Sequence, residues 1–145
     1  MRLLITGLLL ALLPPAAAAL EYRSTSRPAI LYDAPSTGAG KLAAAGRGLP
    51  LEVVVDTDAW VKVRDPGGRL AWIEKAALGG GRAVMVTGEP GIVRQQPRAE
   101  AAIAFHAVRG LLLEATGEVD AYGWLPVRHA GGLSGWIPAH EVWGR

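Results

Sequence analysis

The chain has 145 residues, of which 50% are hydrophobic, 15 are Lys or Arg, 13 are Asp or Glu and none is Cys. A formal net charge of +2 creates too weak a field to favour binding to nucleic acid. The lack of cysteine excludes disulfide bonds and a lipidated N-terminal cysteine. Any folded domain of this chain must therefore be stable without disulfide cross-links.

The N-terminus has the pattern of a secretory signal peptide. Arg2 is followed by an apolar run over residues 3–13, which leads to Ala17 and Ala19 at the positions that a signal peptidase recognises. The run is too short to span a bilayer, and no later run is long enough for a membrane anchor. We therefore expect an exported mature chain that starts at Leu20 and carries 14 basic and 13 acidic residues. A buried helix is the less favoured alternative for this segment.

The remainder of the chain is an internal duplication. Residues 25–52 align with residues 87–114 at an offset of 62, and residues 60–73 align with residues 124–137 at an offset of 64. Seven of the fourteen positions in the second alignment are identical. A repeat period near 60 residues with one short insertion indicates a duplicated domain. Each copy is close to the smallest size that folds alone, so we expect the two copies to touch.

Both copies show the pattern of short β-strands separated by turns. Aliphatic runs occupy residues 49–55 and 111–115, and turn residues cluster at 65–68 and 130–132. No segment of the mature chain keeps helical periodicity over the roughly twelve residues that a stable helix needs. The pattern therefore predicts an all-β chain of two small barrels. The expected divisions are a signal peptide at 1–19, a first barrel at 20–78, a glycine linker at 79–81 and a second barrel at 82–145.

Alternation along the hairpin that contains the paired tryptophans predicts which side chains face outward. If Val63 and Ile73 are directed to the core, the period of two directs both tryptophans of the first copy outward. The second copy repeats this pattern around Ile137. The two strands of each hairpin must then be joined by a loop with an odd number of residues. The outward set includes Trp60, Trp72, Trp124, Trp136 and Pro138.

The ordered motifs resemble those of the bacterial SH3-like proteins, in particular exported proteins with two copies of the domain. An aliphatic-x-P motif is followed by RGLxLE, W-V-x-V-R, GG and W-I, and this order occurs twice within about residues 22–143. The resemblance implies SH3-like barrels, which bind peptides in a groove lined by aromatic residues and a proline. Members of this family often accompany cell-wall hydrolases and bind peptidoglycan stem peptides.

By position, the resemblance assigns five residues to such grooves: Trp124, Trp136 and Pro138 in the second copy, and Trp60 and Trp72 in the first. The chain departs from the family pattern at Glu74, which replaces the proline, and at Ala77 and Glu141, which replace the last groove aromatic. These departures argue against a ligand in a proline helix. The tryptophans could instead pack between the copies, because each ring buries about 150–250 Å² in a domain with little core.

The sequence offers no convincing catalytic or metal site. His106, His129 and His140 lack metal-ligand spacing, and strand alternation would turn the adjacent His140 and Glu141 apart. The chain has no thiol nucleophile, and its Gly-Gly pairs lie in turns rather than in a phosphate-binding loop. We therefore predict no enzyme activity, no catalytic residue, no metal and no cofactor.

The sequence favours a non-catalytic binding module of the cell envelope. We expect it to bind an extended peptide on the tryptophan-lined hairpin faces, either a peptidoglycan stem peptide or the tail of a partner envelope protein. The first alternative is a structural or assembly protein whose aromatic residues pack between the repeats, and the least favoured is an envelope hydrolase. The expected location is the periplasm, with the extracellular space as the alternative.

Overall fold

The computed structural model describes residues 19–145, so the expected signal peptide lies outside the described residues apart from Ala19. The described chain forms two β-barrels in succession, with two single-turn 3-10 helices and no α-helix. The predicted all-β fold with two small barrels is therefore confirmed.

The first barrel consists of seven strands and one 3-10 turn. Its strands are β1 Tyr22–Thr25, β2 Ala29–Tyr32, β3 Lys41–Ala45, β4 Pro50–Asp56, β5 Trp60–Arg64, β6 Leu70–Glu74 and β7 Leu78–Gly79, and its 3-10 turn is Lys75–Ala77.

The second barrel repeats this series. Its strands are β8 Ala83–Val86, β9 Gly91–Arg94, β10 Ile103–Ala107, β11 Leu112–Ala115, β12 Trp124–Arg128, β13 Ser134–Pro138 and β14 Val142–Trp143, and its 3-10 turn is Ala139–Glu141.

The two barrels have the same antiparallel topology. The strand order is β3-β2-β6-β5-β4-β1-β7 in the first and β10-β9-β13-β12-β11-β8-β14 in the second, so each strand matches its counterpart seven numbers later. Gly79, which the sequence assigned to the linker, pairs with Ser24 as part of β7. Gly79 thus belongs to the first barrel, and the glycine connection is shorter than predicted.

The register of β5 and β6 directs the tryptophans away from the core. Val61 lies opposite Ile73, and both are completely buried, whereas Lys62 lies opposite Trp72 on the other face. Residues 65–69 join the two strands, so the loop has the predicted odd length. Strands β12 and β13 pair in the same way.

A glycine with positive φ closes the hairpin loop in each barrel. Gly68 has a φ of 87° and Gly132 a φ of 94°, a conformation that other residues rarely adopt. The Asp65 carboxylate supports the first loop by accepting two backbone N–H groups at 2.9 Å each. The His129 ring supports the second by accepting one at 3.1 Å. The Gly-Gly pairs are therefore turn formers, as predicted.

Each barrel has its own apolar core. The first core consists of Leu31, Ala45, Leu51, Val61, Val63, Ala71, Ile73 and Ala77. The second consists of Val84, Val86, Val93, Ala107, Leu113, Ala115, Leu125, Val127, Ile137 and Val142.

The two barrels touch through the fifth tryptophan. The Trp143 ring meets the Tyr22 ring edge to face with centroids 5.3 Å apart, and its indole N–H donates to the carbonyl oxygen of Pro50 at 3.3 Å. Burial raises the pKa of Tyr22 above its ordinary value, and the Glu52 carboxylate adds to the increase. The predicted contact between the copies is therefore present, and Trp143 makes it.

Candidate functional site

A groove of about 420 Å³ lies on the outward face of the second barrel. It is formed by β9, the start of β12, the end of β13 and the 3-10 turn that follows β13. We call it the Trp124 groove. The side chains that give it its chemical character are Ile92, Arg94, Tyr122, Trp124, Pro138 and Glu141.

Strand pairing gives the groove an apolar wall. Trp124 on β12 lies directly opposite Pro138 on β13, and paired residues in an antiparallel ladder extend their side chains to the same face. Both are half-buried. Trp136 lies on the same face, opposite Pro126 on one side and Arg94 on the other, but it does not line the groove.

The loop before β12 sets the rim of the groove. One carboxylate oxygen of Asp120 accepts the backbone N–H groups of Tyr122 and Trp124, each at 2.9 Å. Gly123 completes this turn with a φ of 86°. Tyr122, which follows Asp120 in this turn, is 88% exposed at the rim of the groove.

Two charged side chains line the groove without pairing with each other. The Arg94 guanidinium donates to the carbonyl oxygen of Ala101 at 2.9 Å, which ties it to the loop after β9. Glu141 has a buried side-chain oxygen, Oε2, that lacks a hydrogen-bond partner within residues 19–145. None of the ion pairs of this part of the chain includes Arg94 or Glu141.

The equivalent face of the first barrel is closed by its own side chains. Tyr32 takes the position of Arg94, is only 8% exposed and meets the Trp60 ring edge to face with centroids 5.6 Å apart. Trp72 lies beside Tyr32 on the neighbouring strand. Glu74, which takes the position of Pro138, approaches Arg27 at 3.8 Å.

An ionic cluster lies at the end of β4 in the first barrel. The Asp56 carboxylate contacts Lys75 and Arg23, each at 2.8 Å. Hydrogen bonds from these two side chains lower the pKa of Asp56 below its ordinary value. Arg23 also contacts Glu21 at 2.7 Å, so two basic and two acidic side chains balance each other, in contrast to the unpaired Glu141.

Comparison with known proteins identifies the two copies. The family model of the bacterial SH3 domain matches residues 25–80 and again residues 87–144. The chain belongs to the bacterial SH3 domain family. Domains of this family bind rather than catalyse, often bind the cell wall and usually occur in exported proteins.

Two solved structures from Trichomonas vaginalis are similar to this pair of bacterial SH3 domains. NlpC2 is 10% identical, with 90% of this chain and 50% of NlpC2 covered and a TM-score of 0.40. NlpC1 is 11% identical, with 97% of this chain and 51% of NlpC1 covered and a TM-score of 0.39. The chain thus spans about half the length of either structure. No curated protein matches it.

The bacterial SH3 fold brings together some of the predicted site residues and separates others. Trp124 and Pro138 meet in one groove, whereas Trp60 and Trp72 lie on the closed face of the first domain. Sequence reasoning missed Arg94, which β9 supplies. Comparison of the two copies could have revealed Arg94, because the matching residue in the first domain is the uncharged Tyr32.

The strand alternation used to turn His140 and Glu141 apart does not apply to these two residues. Both residues line the Trp124 groove, because they lie in the 3-10 turn Ala139–Glu141, where strand alternation does not apply.

In residues 19–145, no group of three or more His, Asp or Glu side chains is placed to hold a metal ion. The same residues contain no helix long and apolar enough to cross a membrane.

Proposed function

We propose that this protein is a non-catalytic binding protein of the cell envelope and that it docks an extended peptide in the Trp124 groove. The observation that carries the proposal is the open groove of the second domain at the position that Tyr32 closes in the first. Apolar walls with a few convergent polar groups are typical of binding sites. The family, whose domains often bind the cell wall, supports a peptidoglycan stem peptide as the ligand.

The groove also has the exposed aromatic surface that peptide binding uses. Tryptophan and tyrosine supply most of the energy at many protein interfaces, since their rings bury a large area with few rotatable bonds. Trp124 and Tyr122 provide such rings at the wall and at the rim. The proposal places the protein in the periplasm, in agreement with the signal peptide expected at 1–19.

A purely structural role for the paired tryptophans finds less support. The contact between the domains is formed by Tyr22 and Trp143, so it uses neither member of the second hairpin's tryptophan pair. A role as hydrolase finds less support too, since the described chain gathers no nucleophile with His140 and Glu141 in the groove.

Cosedimentation with purified peptidoglycan tests the proposal. Wild-type protein should be retained, and Trp124→Ala should lose retention while keeping its circular dichroism spectrum, because the ring lies outside the core. Lack of retention of the folded wild-type protein would refute a cell-wall ligand.

A further inference from the structure

We propose that the Trp124 groove selects ligands that carry a primary amine, whose ammonium group pairs with the Glu141 carboxylate. This inference rests on the proposed function, because it specifies which chemical group of a stem peptide the groove recognises. The observation behind it is the buried Oε2 atom of Glu141, which has no partner in the described chain although the side chain lines the groove.

A buried carboxylate oxygen without a partner is costly, and a cationic ligand removes that cost. Native proteins pair nearly all of their buried polar atoms, so a buried carboxylate oxygen without a partner calls for an explanation, and a cation bound beside the carboxylate provides one. Arg94 lines the same groove and donates to the Ala101 carbonyl oxygen, and within residues 19–145 no ion pair joins it to Glu141. Oε2 itself is inaccessible, but the Glu141 side chain as a whole is only half-buried, lines the groove and forms no ion pair within residues 19–145, so a ligand can approach the carboxylate from the groove.

Backbone hydrogen bonds fix the position of Glu141, and Gly88 leaves room for its side chain. The carbonyl oxygen of Glu141 accepts the N–H groups of Thr87 and Gly88 at 2.8 and 3.1 Å. Its side chain lies flat over Gly88, since a Cβ atom added there would be 3.0–3.1 Å from its Cβ, Cγ and Cδ atoms. A side chain fixed in this way loses little conformational entropy when it binds a ligand.

The first domain shows that the fold does not require this carboxylate. Ala77 takes the position of Glu141 and is completely buried, and Ser26 takes the position of Gly88. The Ser26 hydroxyl donates to the Ala77 carbonyl oxygen at 3.1 Å, which replaces the packing of the glutamate side chain. The combination of Gly88 and Glu141 thus occurs only in the domain with the open groove.

The Trp124 wall of the groove suits an amine on an alkyl chain. The face of a tryptophan ring attracts an ammonium group and packs well against methylene groups, and the half-buried Trp124 ring lines the same groove as Glu141. Uncrosslinked peptidoglycan stems end their diamino acid side chain in such a primary amine. We therefore assign the free side-chain amine of the stem peptide to Glu141.

Binding to native and to N-acetylated peptidoglycan tests this assignment, because acetic anhydride removes the positive charge of the amines and leaves the polymer intact. Wild-type protein should bind the acetylated polymer about tenfold more weakly or worse, as expected for the loss of a charged hydrogen bond. Glu141→Ala, which copies the first domain, and Glu141→Gln should bind both polymers equally and weakly. Glu118→Ala removes an exposed carboxylate outside the groove and should keep the full preference of the wild type.

The outcomes separate this inference from the proposed function. Equal binding of wild-type protein to both polymers, with binding still abolished by Trp124→Ala, would overturn the amine assignment and leave the peptide groove in place. Unchanged preference in Glu141→Ala would overturn it as well. If the folded wild-type protein binds neither polymer, the proposed function and the inference both fail.

Discussion

The two domains share one fold and differ on one face. In the first, Tyr32 packs on the neighbouring tryptophan ring and Ala77 is completely buried, so the outward face is closed. In the second, Arg94 and Glu141 take these two positions, and the Trp124 ring lies beside an open groove. The domains therefore keep the same outward tryptophan pair and differ in the residues beside it.

This difference shows how to locate a site in a duplicated domain. Most inward positions stay apolar in both copies, because an emptied core position costs several kcal/mol, whereas most outward substitutions cost little; the exception is Ala77, which Glu141 replaces in the second copy. A residue identical in both copies is therefore as informative about packing as about function. Residues that differ on otherwise equivalent outward faces point more directly to the site, and here they are the groove residues of the second domain.

The largest expected effect tests the buried core, which the two domains share. Ile73→Ala and Ile137→Ala should each lower the free energy of unfolding by about 2–5 kcal/mol, because both side chains are completely buried in separate small cores. Chemical denaturation followed by circular dichroism measures the loss. Unchanged stability in both variants would show that the inward and outward faces are reversed.

The next largest effect tests the outward face, on which the domains differ. Trp124→Ala with Trp136→Ala should weaken binding to purified peptidoglycan by about thirtyfold or more, since loss of an anchor aromatic typically costs about 2 kcal/mol. The matched variant Trp60→Ala with Trp72→Ala should weaken binding less, because Tyr32 already covers that face. Equal losses from both variants would contradict the assignment of the ligand to the second domain.

The fold could be predicted from the sequence because strand patterns are local. Alternating residues around Val63 and Ile73 determine the inward face of the hairpin, and the odd loop of residues 65–69 follows from that alternation. The glycine linker was predicted too long because Gly79 pairs through its backbone, which composition does not reveal.

Most of the groove could not be predicted, because its residues come from separate parts of the chain. Arg94 reaches the groove only through the pairing of β9 with β13, where it lies opposite Trp136. Glu141 follows the last long strand in a 3-10 turn, so no periodicity indicates its direction. Trp124 and Pro138 were predictable because one hairpin carries both.

A single substitution should make the second domain resemble the first. Arg94→Tyr places the residue of the first domain beside Trp124, where its ring can pack as Tyr32 packs on Trp60. We expect affinity for peptidoglycan to fall roughly tenfold, the equivalent of about 1.4 kcal/mol. The free energy of unfolding should stay the same or rise. Arg94→Gln, which removes the charge without adding a ring, is the control for loss of charge, and full binding by Arg94→Tyr would show that the ligand does not use the groove.

The smallest expected effect concerns the contact that joins the domains. Because burial raises the pKa of Tyr22 above the ordinary 10.0, the protonated hydroxyl stabilises the fold fully below pH 10, and this contribution is lost as the pH rises through the raised value. Trp143→Ala removes the ring that covers Tyr22 and should return this pKa towards 10.0, which the absorbance of tyrosinate near 295 nm measures. Tyr22→Phe identifies the signal of Tyr22 among the three tyrosines. An unchanged titration in Trp143→Ala would mean that the domains do not hold this contact in solution.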